Sequence, residues 1–175
     1  MSHASSDPHL AELYAQPGHL LRRAHQISAS IFHDELGEMV TPVQYAILRT
    51  LKAFPGIDQV SLAGLVAMDT STAASVAGRL AEKKLLTRDL DPNNRRQRKL
   101  FLTEQGEALL QQTVGGIDRL HNRLFDGFSQ QEEAQFMALL QKLVHINNMQ
   151  SRAPFVPAKT AQSRGEVEKG VEKLG

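Results

Sequence analysis

Cysteine is absent from the sequence. Disulfides are therefore impossible, and so is redox sensing that works through a thiol. No apolar run is long enough to span a bilayer, and no basic-then-apolar leader opens the chain. Neither a membrane segment nor a signal peptide is expected, and a cytoplasmic setting is. The sequence also shows no glycine-rich phosphate loop, no G-x-S-x-G turn and no catalytic paired-carboxylate motif, which argues against an enzyme. Its seven histidines include no pair four residues apart, and His19 and His25 fall on different faces of a helix. No metal site and no cofactor is expected, and His121 and His145 read as polar edges of an interface.

What is present is ordinary in bulk and uneven in detail. The 175 residues are 41% hydrophobic and 22% charged, enough for one domain with a real core, or one domain plus an extended dimerisation element. The whole chain carries a formal charge of only +1. From Arg79 to Lys99, however, eight basic residues (Arg79, Lys83, Lys84, Arg88, Arg95, Arg96, Arg98, Lys99) stand against three acidic ones, a net +5. Positive charge concentrated on one segment is the footprint of a face that meets nucleic acid.

That segment also has the most informative pattern. Leu62, Leu65 and Val66 give a short apolar face, and Met68-Asp69 leave room for little more than a turn. Ala73, Val76, Ala77 and Leu80 then repeat at helical spacing on a helix starting near Ser71, with Asp69, Thr70 and Ser71 available to cap it. Two helices joined this closely form a helix-turn-helix, which lays its second helix in a DNA major groove. Leu85-Leu86 and Leu100 to Leu102 read as strands flanking the turn Asp91-Pro92-Asn93-Asn94.

The run from Asp91 through Arg95-Arg96 to Leu100-Phe-Leu-Thr-Glu-Gln-Gly106 resembles the wing of the multiple-antibiotic-resistance-regulator (MarR) family of winged-helix repressors. Asp69-Thr-Ser-Thr and Arg79-Leu80 resemble that family's recognition helix, and the likeness extends over about residues 17 to 149. Asn94 stands where the family usually has aspartate. Lys84 stands where it usually has the glycine that ends the recognition helix, at a cost if φ is positive there. Ala74 and Ser75 replace a frequent threonine and arginine, which implies more reliance on thymine methyls, DNA shape and the wing.

Around this lobe the chain reads as helices. Residues 1–16 are expected to be partly disordered, with one turn near Leu10 to Tyr14. A long helix follows from about Gly18 to Met39, with Leu20, Ala24, Ile27 and Ile31 on one face and Leu21, Ser28 and Phe32 beside it. Thr41-Pro42 with Gln44 opens a second, striped by Tyr45, Leu48 and Leu51 and stopped by Pro55-Gly56. Ile57 to Val60 is a candidate third strand. Thr103 caps a helix to about Phe128, interrupted at Gly115-Gly116 where a bend is possible. Ser129 with Glu132 boxes the last helix, whose Phe136, Leu139, Leu140, Leu143 and Ile146 are expected to face inward. Residues 150–175 read as a flexible tail.

The expected fold is mainly α with a small β-wing: a winged helix-turn-helix lobe at 41–103, with dimerisation helices at 17–40 and 104–149. The terminal helices hold more apolar surface than that lobe could cover, which points to a homodimer reading a two-fold-symmetric site on double-stranded DNA. Ser71, Thr72, Ser75 and Arg79 are the candidate contacts of the recognition helix. Arg95, Arg96 and Arg98 are those of the wing. The resemblance implies that Arg95 or Arg96 enters the minor groove and that Asp91 braces it. It extends, through Pro17-Gly-His19 to Ser28 and Thr41 to Tyr45, to a subgroup responding to aromatic carboxylates in catabolic gene control. Candidate effector contacts are His19, Arg22, Ser28, Phe32 and Tyr45, with Arg22 pairing the carboxylate and Phe32 and Tyr45 flanking the ring. The rival to a ligand-relieved repressor is a winged-helix module that binds a protein partner.

Overall fold

The computed structural model describes residues 8–91 and 94–154, apart from the side chains of residues 8, 9, 91 and 94–97. Seven α-helices and a three-stranded sheet are found among them: α1 (Pro8–Tyr14), α2 (Pro17–Leu36), α3 (Pro42–Ala53), β1 (Ile57–Asp58), α4 (Gln59–Leu65), α5 (Thr70–Glu82), β2 (Leu86–Asp91), β3 (Asn94–Leu102), α6 (Glu104–Leu124) and α7 (Gln130–Ile146). The sheet order is β1-β3-β2, antiparallel throughout, with Ile57 opposite Leu100 and Leu86 opposite Leu102.

Helix starts follow side-chain chemistry. Thr41 Oγ1 accepts from Gln44 N at 3.3 Å while Gln44 Oε1 accepts from Thr41 N at 3.1 Å, the reciprocal box that the sequence implies. Ser129 and Glu132 form the same box before α7. Asp58 caps α4 and Thr103 caps α6. The Thr103 hydroxyl also donates to Lys84 O at 2.7 Å, tying the start of α6 to the end of α5.

The core lies where α3, α4, α5 and the sheet meet. Ile47, Leu48, Leu51, Leu62, Ala77, Leu80, Leu86 and Leu100 are buried there, and Phe32, Leu36 and Leu110 extend the cluster to α2 and α6. Leaving water is what holds these elements together, at roughly 1.5–3 kcal/mol for each large side chain.

Several expectations are corrected. α1 spans two turns, Pro8–Tyr14, where the sequence implies a single turn near Leu10 to Tyr14, and α2 stops at Leu36, not Met39. The third strand is only Ile57–Asp58; Gln59 and Val60 already belong to α4, because the Asp58 carboxylate captures the N–H groups of Val60 and Ser61. α6 runs unbroken through Gly115-Gly116 and ends at Leu124. A methyl group on Gly116 would overlap Leu36 Cδ2, so this glycine lets two helices touch. Phe128 lies beyond the helix in a corner with Phe125 and Phe136, their rings edge to face. α7 has no buried residue: Leu139 and Ile146 are 58% and 66% exposed, so its stripe faces outward within this chain. Residues 1–7 and 155–175, the ends expected to be irregular, lie outside the described residues.

Candidate nucleic-acid interface

α5 divides cleanly into two faces. Ala73, Val76, Ala77 and Leu80 are buried against the core, while Ser71, Thr72, Ser75 and Arg79 are all exposed. The recognition-helix candidates therefore share one accessible side, as a period of 3.6 demands. Asp69 fixes the front of that face. Its Oδ1 accepts from Thr72 N at 2.8 Å and from the Ser71 hydroxyl at 2.6 Å. The Ser71 hydroxyl first, then the Thr72 side chain and the Thr72 N–H, hold the Asp69 carboxyl down at about 2.

Both helices of the unit end the same way. Leu85 N bonds Leu80 O and Lys84 N bonds Ala81 O; likewise Met68 N bonds Ala63 O and Ala67 N bonds Gly64 O. Each is a Schellman ending, which needs a residue in the left-handed region at its turn. Lys84 has φ 58° and Ala67 has φ 54°. The glycine slot expected at Lys84 is thus real, and a second one, at Ala67, shapes the turn between α4 and α5.

The wing hairpin is β2 and β3 with Leu90 opposite Arg98. Arg98 is exposed. The side chains of Asp91, Arg95 and Arg96 lie outside the described residues, and with them the expected bracing and insertion. Arg88, counted in the basic run but not singled out as a site residue, turns inward. It stands opposite the buried Leu100, donates from Nη2 to Gln59 Oε1 at 3.0 Å, and its Nη1 lies over Gly78 of α5. This one side chain spans wing, α4 and α5. The alternation Leu86, Arg88, Leu90 was the available signal that it faces the core side of the sheet.

The effector candidates separate into two groups. Phe32 and Tyr45 meet edge to face at 6.0 Å, joining α2 to α3, and Ser28 lies one turn back on α2, partly buried. Arg22 is exposed and reaches Gln26 Oε1 at 3.4 Å. It lies ten residues before Phe32, about 15 Å along the helix axis. His19 is stacked edge-on against Tyr14 of α1 at 5.1 Å, with Nε2 buried and unpartnered. His121 pairs with Glu133 at 3.0 Å across the α6–α7 corner. Among the described residues no single helix is long and apolar enough to cross a membrane.

Comparison with known proteins agrees with this architecture. The MarR family model matches residues 40–97. The transcriptional regulator HosA of Escherichia coli O111:H- is 30% identical over 127 residues, 73% of this chain and 93% of its own. The PcaV transcriptional regulator of Streptomyces coelicolor, solved with its natural ligand, aligns with a TM-score of 0.73 at 31% identity, over 82% of this chain and 98% of that one. BpsR of Bordetella bronchiseptica, solved in a study of how 6-hydroxynicotinic acid regulates its DNA binding, gives 0.70 at 32% identity, over 73% and 92%. Members of the MarR family are transcription regulators, not enzymes, and bind DNA operators as dimers. A capped recognition helix with one polar exposed face, a basic β-hairpin beside it and this degree of likeness place the chain in the MarR family of winged helix-turn-helix, DNA-binding transcriptional regulators.

Proposed function

We propose that the protein is a homodimeric repressor of aromatic-catabolism genes, released from a two-fold-symmetric operator by a small aromatic carboxylate. On DNA, Ser71, Thr72, Ser75 and Arg79 face the major groove. Arg95, Arg96 and Arg98 serve the wing, with Asp91 bracing an arginine that enters the minor groove. In the effector site, the ring sits beside Ser28 against Phe32 and Tyr45 and turns its carboxylate toward Arg22, which stands six residues, about 9 Å, from Ser28 and closes that gap by reorienting away from Gln26, with His19 beside it.

The observation that carries this reading is the Phe32–Tyr45 pair, whose two rings lie where the terminal helix α2 meets the first helix of the DNA-binding lobe. A ligand lodged there touches both parts at once. Its likeness to BpsR, whose DNA binding responds to 6-hydroxynicotinic acid, supports the choice of an aromatic acid. The effector need bind the released arrangement only about 1–3 kcal/mol better than the DNA-bound one for a useful switch.

Fluorescence anisotropy on the duplex upstream of the protein's own gene, with a panel of benzoates and hydroxynicotinates, tests it. One acid should weaken binding, and Arg22→Met should abolish that response while leaving DNA affinity in place. Loss of both properties, or of neither, removes Arg22 from the site; a panel without effect removes the aromatic carboxylate.

A further inference from the structure

Ser71 occupies the second position of α5, on its exposed side. Its hydroxyl oxygen lies 2.6 Å from Asp69 Oδ1. A carboxylate has no proton to give, so the single proton of the Ser71 hydroxyl is the one in that bond. The distance is that of the charge-assisted O–H···O⁻ class, which is markedly stronger than a neutral contact. Asp69 is itself held: the same oxygen accepts Thr72 N at 2.8 Å as the helix cap, so it does not swing away to release the serine.

What Ser71 has left to offer outward is lone pairs. Major-groove edges present acceptors (purine N7, guanine O6, thymine O4) and one amino donor per base pair, adenine N6 or cytosine N4. A free serine satisfies either kind. A serine whose proton is already given satisfies only the donor.

We propose that Ser71 is a specificity-determining residue that reads the operator as an acceptor only, seeking the amino group of adenine or cytosine, with Asp69 as the positioning residue that fixes its polarity. The proposal rests on the DNA-binding reading of the α5 face. Asp69, held ionised down to about pH 2 chiefly by this serine, keeps the polarity constant at any pH a cell reaches.

The test starts from a duplex that the wild-type protein selects out of a random pool. Anisotropy then compares wild type with Ser71→Ala on versions carrying 2-aminopurine for adenine or 2-pyrimidinone for cytosine, which delete the major-groove amino group, and 7-deazapurines, which delete N7. At one position per half-site, removing the amino group should cost the wild type about three- to tenfold, the range of one neutral hydrogen bond. Ser71→Ala should lose nothing further there, and Ser71→Thr, which keeps the hydroxyl, should restore the sensitivity. Circular dichroism checks that Ser71→Ala keeps its helix, since the Asp69–Thr72 cap does not involve the serine. Coupling to an N7 deletion overturns the proposal, because it requires a donating serine. A uniform loss on every analogue with a shallower salt dependence overturns it too, because that marks a phosphate contact. A wild-type protein that selects no duplex overturns the DNA reading itself and the proposal with it, an outcome distinct from the others.

Discussion

Lys84 and Ala67 carry φ values of 58° and 54°, where an L side chain crowds its own backbone and glycine does not. Replacing Lys84 by glycine should therefore raise stability by about 1 kcal/mol, read as a higher urea midpoint with an unchanged slope. Asp69 gives a prediction with a sign. Its folded-state carboxyl sits at about 2, below the model-compound 3.8, so the cap stabilises fully above about pH 4 and is lost as pH falls toward 2. The gap in urea midpoint between wild type and Asp69→Ala should close across that window and stay constant above it. At this scale legibility was mixed. The strain at Lys84 was readable because its place in the motif asks for glycine. Ala67 was not, since alanine gives no turn signal. The inward turn of Arg88 is hidden when the basic run is read for charge alone; only the alternation Leu86, Arg88, Leu90 says which way that side chain points.

Helix starts were readable because caps are written in adjacent residues: Thr41 with Gln44, Asp69 with Thr72, Ser129 with Glu132. Helix ends were less so, since the chain around Leu36 and Leu124 turns to suit distant partners. The C-terminal part of α2 is held to α6 by Glu35, which accepts from Arg119 Nε at 2.7 Å and Arg123 Nη1 at 2.8 Å, while Arg123 Nη2 reaches Asp34 at 3.0 Å. The Arg123 guanidinium, then that of Arg119, holds the Glu35 carboxyl below the usual carboxylate range. No local pattern announces residues more than eighty positions apart. The Gly115-Gly116 pair was likewise ambiguous, since a glycine weakens a helix in isolation and admits a neighbour when packed. Gly116→Leu should cost about 1–3 kcal/mol, because Leu36 and the Glu35 carbonyl leave no space. Gly115→Ala, on an open side, should be neutral or slightly stabilising; equal losses from both would return the pair to a hinge role.

On the scale of the whole molecule, the apolar stripe predicted on the last helix is present, but one chain leaves it uncovered. Leu20, Leu21 and Ile27 of α2 and Leu139, Leu143 and Ile146 of α7 are all exposed. Periodicity identifies a face that needs cover and is silent on whether the cover comes from the same chain. The homodimer proposed above supplies that cover from a second copy. Leu143→Glu should convert the protein to a monomer in sedimentation velocity, with helical content unchanged because α7 contributes no buried residue, and should weaken operator binding by about a hundredfold or more. A dimeric Leu143→Glu variant would move the interface elsewhere. The two effector groups carry the same lesson: Phe32 meets Tyr45, while Arg22 stands about 15 Å along the same helix, and spacing alone did not separate them.

Proposed above all is a grip on duplex DNA by the exposed face of α5 and the basic hairpin beside it. Its most direct test is the affinity of the wild-type protein for a selected duplex across a salt series, about 50 to 200 mM. Binding should be tight and should fall by about a thousandfold or more over that range, as expected when six or more phosphates are neutralised. Affinity that is weak, or strong but indifferent to salt, would contradict it.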